Sequence, residues 1–173
     1  MSKLILALDI SSVKTGYAIL NEYKDIIEAG YLKMDKENKS TQLYMWITEL
    51  FLNFNIEYCV IEDIFLGPNP TTYKNLAGLH GVAKLALDMV LCKFELIGAS
   101  SARKKVLNDG SLKKEQVYEK IQAMYLQHNL KTKGFDVSDA VLIALAYSGY
   151  DLEPNLVKEL TELVEKITKT PGA

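Results

Sequence analysis

Apolar and polar positions along this chain follow two periods, and the switches between them mark out the elements. KLILALD (3–9) is an apolar run ended by Asp9, as expected of a strand buried on both faces. TGYAILN (15–21) and IIEAGYL (26–32) follow at short range, separated by the polar EYKD. Three strands this close predict an antiparallel meander. From Ser40, expected as a cap, the period becomes helical through Phe54, with Leu43, Trp46, Ile47 and Leu50 on one face. EYCVIED (57–63) reads as a fourth strand. GPNP then breaks the chain ahead of a long helix over 71–91, and KFELIG (93–98) is a fifth strand. Ser111 is expected to open a helix with Val117, Ile121, Met124 and Tyr125 along one stripe. A nearly all-apolar helix covers 137–147, and an amphipathic tail helix is expected over 152–169, with Leu156, Leu160, Leu163 and Ile167 on one face.

The predicted order is β-β-β-α-β-α-β-α-α with a final tail helix. A meander followed by two right-handed crossovers puts strands 4 and 5 beside strand 1. The result is an α/β fold with a five-stranded mixed sheet, order 3-2-1-4-5, flanked by helices: a ribonuclease H-like arrangement. The 173 residues suffice for one domain with a real core, and neither repeats nor a Pro/Gly/Ser-rich linker divide them. A single domain over 1–173 is expected.

Composition narrows the setting. Apolar residues are 49% of the chain, which fits a globular protein. No apolar run approaches the ~18 residues of a membrane span, and LILAL, cut short by Asp9, does not read as a signal peptide. Cys59 and Cys92 lack metal-type spacing and read as buried small hydrophobes in a reducing cytoplasm. Net charge is −2, yet it is unevenly spread. Residues 1–92 hold 8 Lys/Arg against 11 Asp/Glu, 93–135 hold 9 against 4, and 136–173 hold 3 against 7. The cationic middle block contains ARKK and LKK, the kind of local patch that holds phosphates on an otherwise acidic protein.

Two carboxylates, Asp136 and Asp139, stand at the head of the apolar helix, three residues apart and so on one face. Buried carboxylates are costly unless paired, hydrogen-bonded or bound to metal. Asp9 ends strand 1 and Glu62 ends strand 4, and in the predicted sheet these are parallel neighbours whose ends share an edge. If the helix crosses that edge, four carboxylates converge. Oxygen ligands without Cys or His suit Mg²⁺ or Mn²⁺, and like charges this close need cations between them. Each acid also has a structural explanation: an Asx turn for Asp9, a solvent-facing strand end for Glu62, an N-cap for Asp136 and a first-turn acid for Asp139.

On these residues the chain resembles the RuvC family of Holliday-junction resolvases over nearly its full length. ALDISSVKTGYAIL looks like the family's first strand and hairpin, VIEDIF like its second motif, and FDVSDAVLIALAY like its closing D-x-x-D-A motif. The resemblance implies Asp9, Glu62, Asp136 and Asp139 as ligands of two Mg²⁺ ions, with Mn²⁺ able to substitute. It also implies a basic segment, ARKKVLNDGSLKKEQV, holding Arg103, Lys104, Lys105, Lys113 and Lys114 against DNA, with Lys114 serving catalysis. Phe65 stands where the family stacks an aromatic on bases at the crossover. HGVAKLAL is similar to the family's dimer helix, which implies a homodimer acting on branched DNA: four-way junctions, with forks and flaps as further substrates. Paired hydrolysis leaving 5′-phosphate and 3′-hydroxyl is the implied activity. The sequence departs from the family at Ile10-Ser11, where Pro-Gly is usual, and at Asp63, where an amide is usual; both fit a divergent, phage-encoded member.

Three rival readings stay open on the residues. A sugar kinase or actin-like ATPase shares the fold, but would carry a glycine-rich phosphate loop where Ile10-Ser11 stands. A non-catalytic junction-binding protein would not need all four acids. A ribonuclease H acting on RNA–DNA hybrid arranges its last acids differently.

Overall fold

β1 (Leu4–Asp9) is the axis of the fold, paired antiparallel with β2 (Lys14–Leu20) and parallel with β4 (Ile56–Glu62). β3 (Ile26–Lys33) closes the meander on the far side of β2, and β5 (Lys93–Ile97) runs parallel to β4, which gives the order β3-β2-β1-β4-β5. This is the predicted sheet, seen here in a computed structural model that describes residues 3–65, 67, 69–126 and 134–149. The expected tail helix at 152–169 lies outside the described residues.

Both faces of the sheet are covered, which is why β1 reads as a continuous apolar run. Leu6, Leu8, Ile19, Cys59 and Ile61 point into a core shared with α1 (Lys39–Asn53) and α2 (Pro70–Met89). Ala7, Ala18 and Val60 point the other way, into a core shared with α3 (Ala99–Leu107), α4 (Lys114–Leu126) and α5 (Phe135–Tyr147). The small Ala7 and Ala18 let α5 lie close on the sheet. α5 is buried without a break from Val137 to Ala146, because α3 and α4 cover the side turned away from the strands.

Three local expectations need correction. Helix α1 starts at Lys39, one residue before Ser40, behind an Asn38 held in the left-handed region at φ 59° without a side-chain cap. Ser111 does not open α4; it sits in a turn whose Asp109 carboxylate accepts from both the Ser111 amide (2.8 Å) and hydroxyl (2.6 Å), and the helix begins at Lys114. A further helix, α3, occupies the basic ARKK segment. Its apolar face is only Ala102, Val106 and Leu107, too short a stripe to stand out against the lysines. No helix among the described residues is long and apolar enough to cross a membrane.

Candidate active site

The strand period carries the first two acids to one place. Ala7 and Val60 face α5, so Asp9 and Glu62, each two residues on, face it too. The β1–β4 ladder sets Ala7 opposite Val60 and Leu8 opposite Ile61, so the two acids come next in line at the carboxyl ends of parallel neighbours. Asp139, on the first turns of α5, lies over that edge. One carboxylate oxygen from each of Asp9, Glu62 and Asp139 lies within 4.8 Å of the others.

The electrostatics of this cluster are those of a cation site. Asp9 is buried, and burial first, then the Glu62 and Asp139 charges, push its carboxyl up to about 8. Glu62 is pushed up to about 7, again by burial first and then by Asp139. Lys114 Nζ lies 3.0 Å from Asp139 Oδ2, a close ion pair. Burial works against the ammonium, but Asp139, Asp9 and Glu62 outweigh it and hold the Lys114 pKa above its ordinary value. Lys114 is thus the cluster's own counter-charge. One ammonium cannot balance three carboxylates, and this donor set of hard oxygens fits a divalent metal ion.

Asp136 does not join the group of three. Its Oδ2 lies 3.5 Å from the ammonium of Lys14 on β2, which also sits 3.9 Å from the centre of the Tyr31 ring. It remains close enough to add to the upward push on Asp9. The approach of α5 to β2 depends on Gly16: a Cβ there would meet the Asp136 carbonyl oxygen at 2.1 Å. Sequence reasoning did not single out Lys14 or Gly16. A glycine inside an apolar strand is itself a signal of close backbone approach, and would have pointed to Gly16.

Around the acids runs a cleft of about 500 Å³ whose lining includes Asp9, Glu62, Asp63, Phe65, His80 and Arg103. Phe65 is 88% exposed, an aromatic ring held out in solvent beyond β4. Arg103 lines the cleft while donating from Nη1 to the Leu112 carbonyl at 3.0 Å, which ties α3 to the turn before α4. Asp63 is exposed, and its amide continues the sheet by donating to the Ile97 carbonyl at 2.9 Å. His80, also missed, is buried against the cleft with both ring nitrogens unpartnered among the described residues. The rest of the basic segment diverges: Lys105 lines a separate groove at the β5 edge with Glu95, the Lys104 Cβ lies near Gly110, and Lys113 is exposed at the head of α4.

A sequence profile for the crossover junction endodeoxyribonuclease RuvC matches residues 5–147, most of the chain and all of these side chains. The chain belongs to the RuvC family. Among its RuvC relatives, that of Campylobacter jejuni (strain RM1221) is 32% identical over 158 residues, covering 86% of this chain and 96% of the relative. That of Campylobacter lari is 30% identical over 150 residues, covering 83% and 94%. The solved structure of Thermus thermophilus RuvC in complex with a Holliday junction substrate superposes with a TM-score of 0.73 at 14% identity, covering 86% of this chain and 94% of that one. The yeast mitochondrial Holliday junction resolvase superposes at 0.55. The RuvC fold is therefore kept at sequence distances where few side chains are shared.

Proposed function

We propose that this RuvC-family chain is a metal-dependent endonuclease that resolves Holliday junctions, and extends to other branched DNA, by paired hydrolysis of phosphodiesters in the cytoplasm. The observation that carries the reading is the trio Asp9, Glu62 and Asp139, three carboxylates within 4.8 Å at one edge of the sheet, with Asp9 and Glu62 pushed toward neutrality by burial first and then by their carboxylate neighbours. These three would hold Mg²⁺ or Mn²⁺. Asp136, one helical turn before Asp139, would be drawn in from Lys14 as the fourth ligand. What the ions supply when bound, two to a site, is Lewis acidity toward the attacking water and the departing 3′-oxygen.

The chain's own residues do the rest. Phe65, exposed at the cleft, stacks on a base unpaired at the crossover and so sets which phosphate enters. Arg103 and Lys114 neutralise the scissile phosphate; Lys114, paired here with Asp139, would be free to do so once a cation balanced that carboxylate. Water oxygen attacks phosphorus in line, the P–O3′ bond breaks, and the proton passes to the leaving oxygen, leaving 5′-phosphate and 3′-hydroxyl. Lys113 adds a contact at the head of α4, and Lys104 and Lys105 on α3 add long-range attraction.

Two nicks in one junction call for two sites, and a symmetric dimer presents them. The outer face of α2 supports one: Leu85 and Met89 are 54% and 65% exposed, and around Gly78 and Gly81 a Cβ would find nothing within 4 Å. A partner helix can approach closely there.

Cleavage of four-way, forked, flapped, duplex and RNA–DNA hybrid substrates, each with Mg²⁺ and then with EDTA, tests the reading. Mg²⁺-dependent paired nicks in the four-way junction are expected. Cleavage of the hybrid in preference to the junction would reassign the chain to ribonuclease H activity, and cleavage undiminished by EDTA would overturn the metal mechanism.

A further inference from the structure

The basic segment Arg103–Lys114 is not the only cationic surface beside the acids. On the opposite face of the sheet, between the starts of α1 and α2, lies a groove of about 390 Å³. Lys36, Lys39 and Lys74 line it, together with Ser12, Ser40 and Asn75, and no carboxylate does. Asp35 and Glu37 neighbour Lys36 in sequence without lining the groove. Lys36 and Lys74 are exposed, and neither enters an ion pair among the described residues. Lys39 is half-buried, and its ammonium donates to the Ser12 carbonyl, fixing the start of α1 to the β1–β2 loop. Neither α1 nor α2 has an acid in its first turn to neutralise the positive end of its dipole.

Residues adjacent in the chain line this groove and the catalytic cleft. Asp9, Ile10 and Ser11 line the cleft, and the next residue, Ser12, lines the groove. Along α2, Leu76 and His80 line the cleft, while Lys74, Asn75 and Leu79 line the groove. Three ammonium groups with hydroxyl and amide donors among them, and no acid, match the chemistry of a nucleic-acid backbone rather than of bases. We infer that the Lys36–Lys39–Lys74 groove is a second DNA-phosphate site, gripping the substrate backbone on the α1–α2 face while Arg103, Lys113 and Lys114 grip it on the α3–α4 face. The scissile phosphate is thereby held from both sides of the sheet edge. The inference rests on the nuclease reading above, since it takes DNA crossing that edge as given.

Junction binding in EDTA, followed against salt concentration, tests it without cleavage. Each lysine–phosphate contact contributes about 0.9 to the slope of log affinity against log salt. The double variant Lys36→Ala/Lys74→Ala should flatten the slope by about 1.8 and weaken binding more than tenfold near 0.1 M salt. Lys3→Ala/Lys93→Ala removes the same charge at the opposite ends of β1 and β5, where it should leave the slope unchanged. Thermal melts of both exposed-lysine doubles verify folding. An unchanged slope in the groove variant, or an equal flattening in the control, overturns the site. Wild-type protein that binds junctions but never cuts them would sink the nuclease reading instead, and leave the slope comparison standing.

Discussion

Replacing Asp9 with Asn should make the metal-free protein more stable, and increasingly so as pH rises. The fold holds the Asp9 carboxyl at about 8, against 3.8 for an ordinary aspartate. A carboxyl whose folded pKa is raised binds a proton more tightly in the native state than in the unfolded one. Its penalty is therefore absent below about pH 4, grows as pH climbs, and levels off above pH 8. Each pKa unit corresponds to about 1.4 kcal/mol, so the full gap sets an upper limit of roughly 5 kcal/mol at pH 8 and about 1.5 kcal/mol at pH 5. Glu62 and Lys114 share the interaction, and a buried amide carries its own desolvation cost, so on the order of 2 kcal/mol should be recovered at pH 8. For a chain of this size that is about 4–8 °C in Tm. The assay is thermal unfolding of wild type and Asp9→Asn in EDTA at pH 5 and pH 8, repeated with Mg²⁺. The variant should melt higher in EDTA by a margin that widens with pH. Mg²⁺ should raise the wild type and leave the variant where it was. A variant that melts lower than wild type at pH 8, or that gains as much from Mg²⁺, would show that the charge on Asp9 is not held against repulsion in the folded site.

Glu62→Gln and Asp139→Asn should each lower junction cleavage by about 10²–10³-fold while junction affinity in EDTA stays within about threefold, as gel shifts and single-turnover assays would read; this magnitude follows the usual loss when charge stabilisation at a transition state is removed. Cleavage itself should rise with pH between about 6 and 8, as Glu62 and Asp9 give up the protons that compete with metal, and a flat profile in limiting Mg²⁺ would contradict their placement. Gly16→Ala forces a Cβ to within 2.1 Å of the Asp136 carbonyl and should cost about 1–3 kcal/mol in thermal stability, with loss of cleavage as α5 is displaced. At Gly81 an added Cβ meets nothing within 4 Å, so in Gly81→Leu the fold should persist while sedimentation shows the mass falling to 19.4 kDa and paired nicking disappears; a wild type already at that mass would remove the dimer.

Much of the architecture was legible because it rests on local periodicity. The apolar runs of β1 and β4 and the stripe on α1 each fix an element within a few residues. The sheet order then follows from chain connectivity and crossover handedness. α3 escaped because its three buried residues carry no long period, and the start of α4 was misjudged because Ser111 serves Asp109 in a turn, a role that the same serine cap signal allows. Asp9 and Glu62 could be brought to one edge from strand ends and a sheet order, since two residues on from an inward-facing Ala7 and Val60 is a matter of pleat alone, whereas Asp139 joins them only through the packing of α5 across that edge.

The sequence by itself determined which side chains have the chemistry, which strand ends carry them and which face of each element is buried, because those properties depend on residue type and on neighbours a few positions away. Tertiary structure alone decided how the charges pair. Lys14 and Asp136, 122 positions apart, meet only because Gly16 admits α5 against β2. Lys114 reaches Asp139 because α4 packs on α5, and the lysines of α1 and α2 share a groove because both helices start beside the β1–β2 loop. Electrostatic energy depends on distances and burial across packed elements, and no local pattern in the chain encodes those.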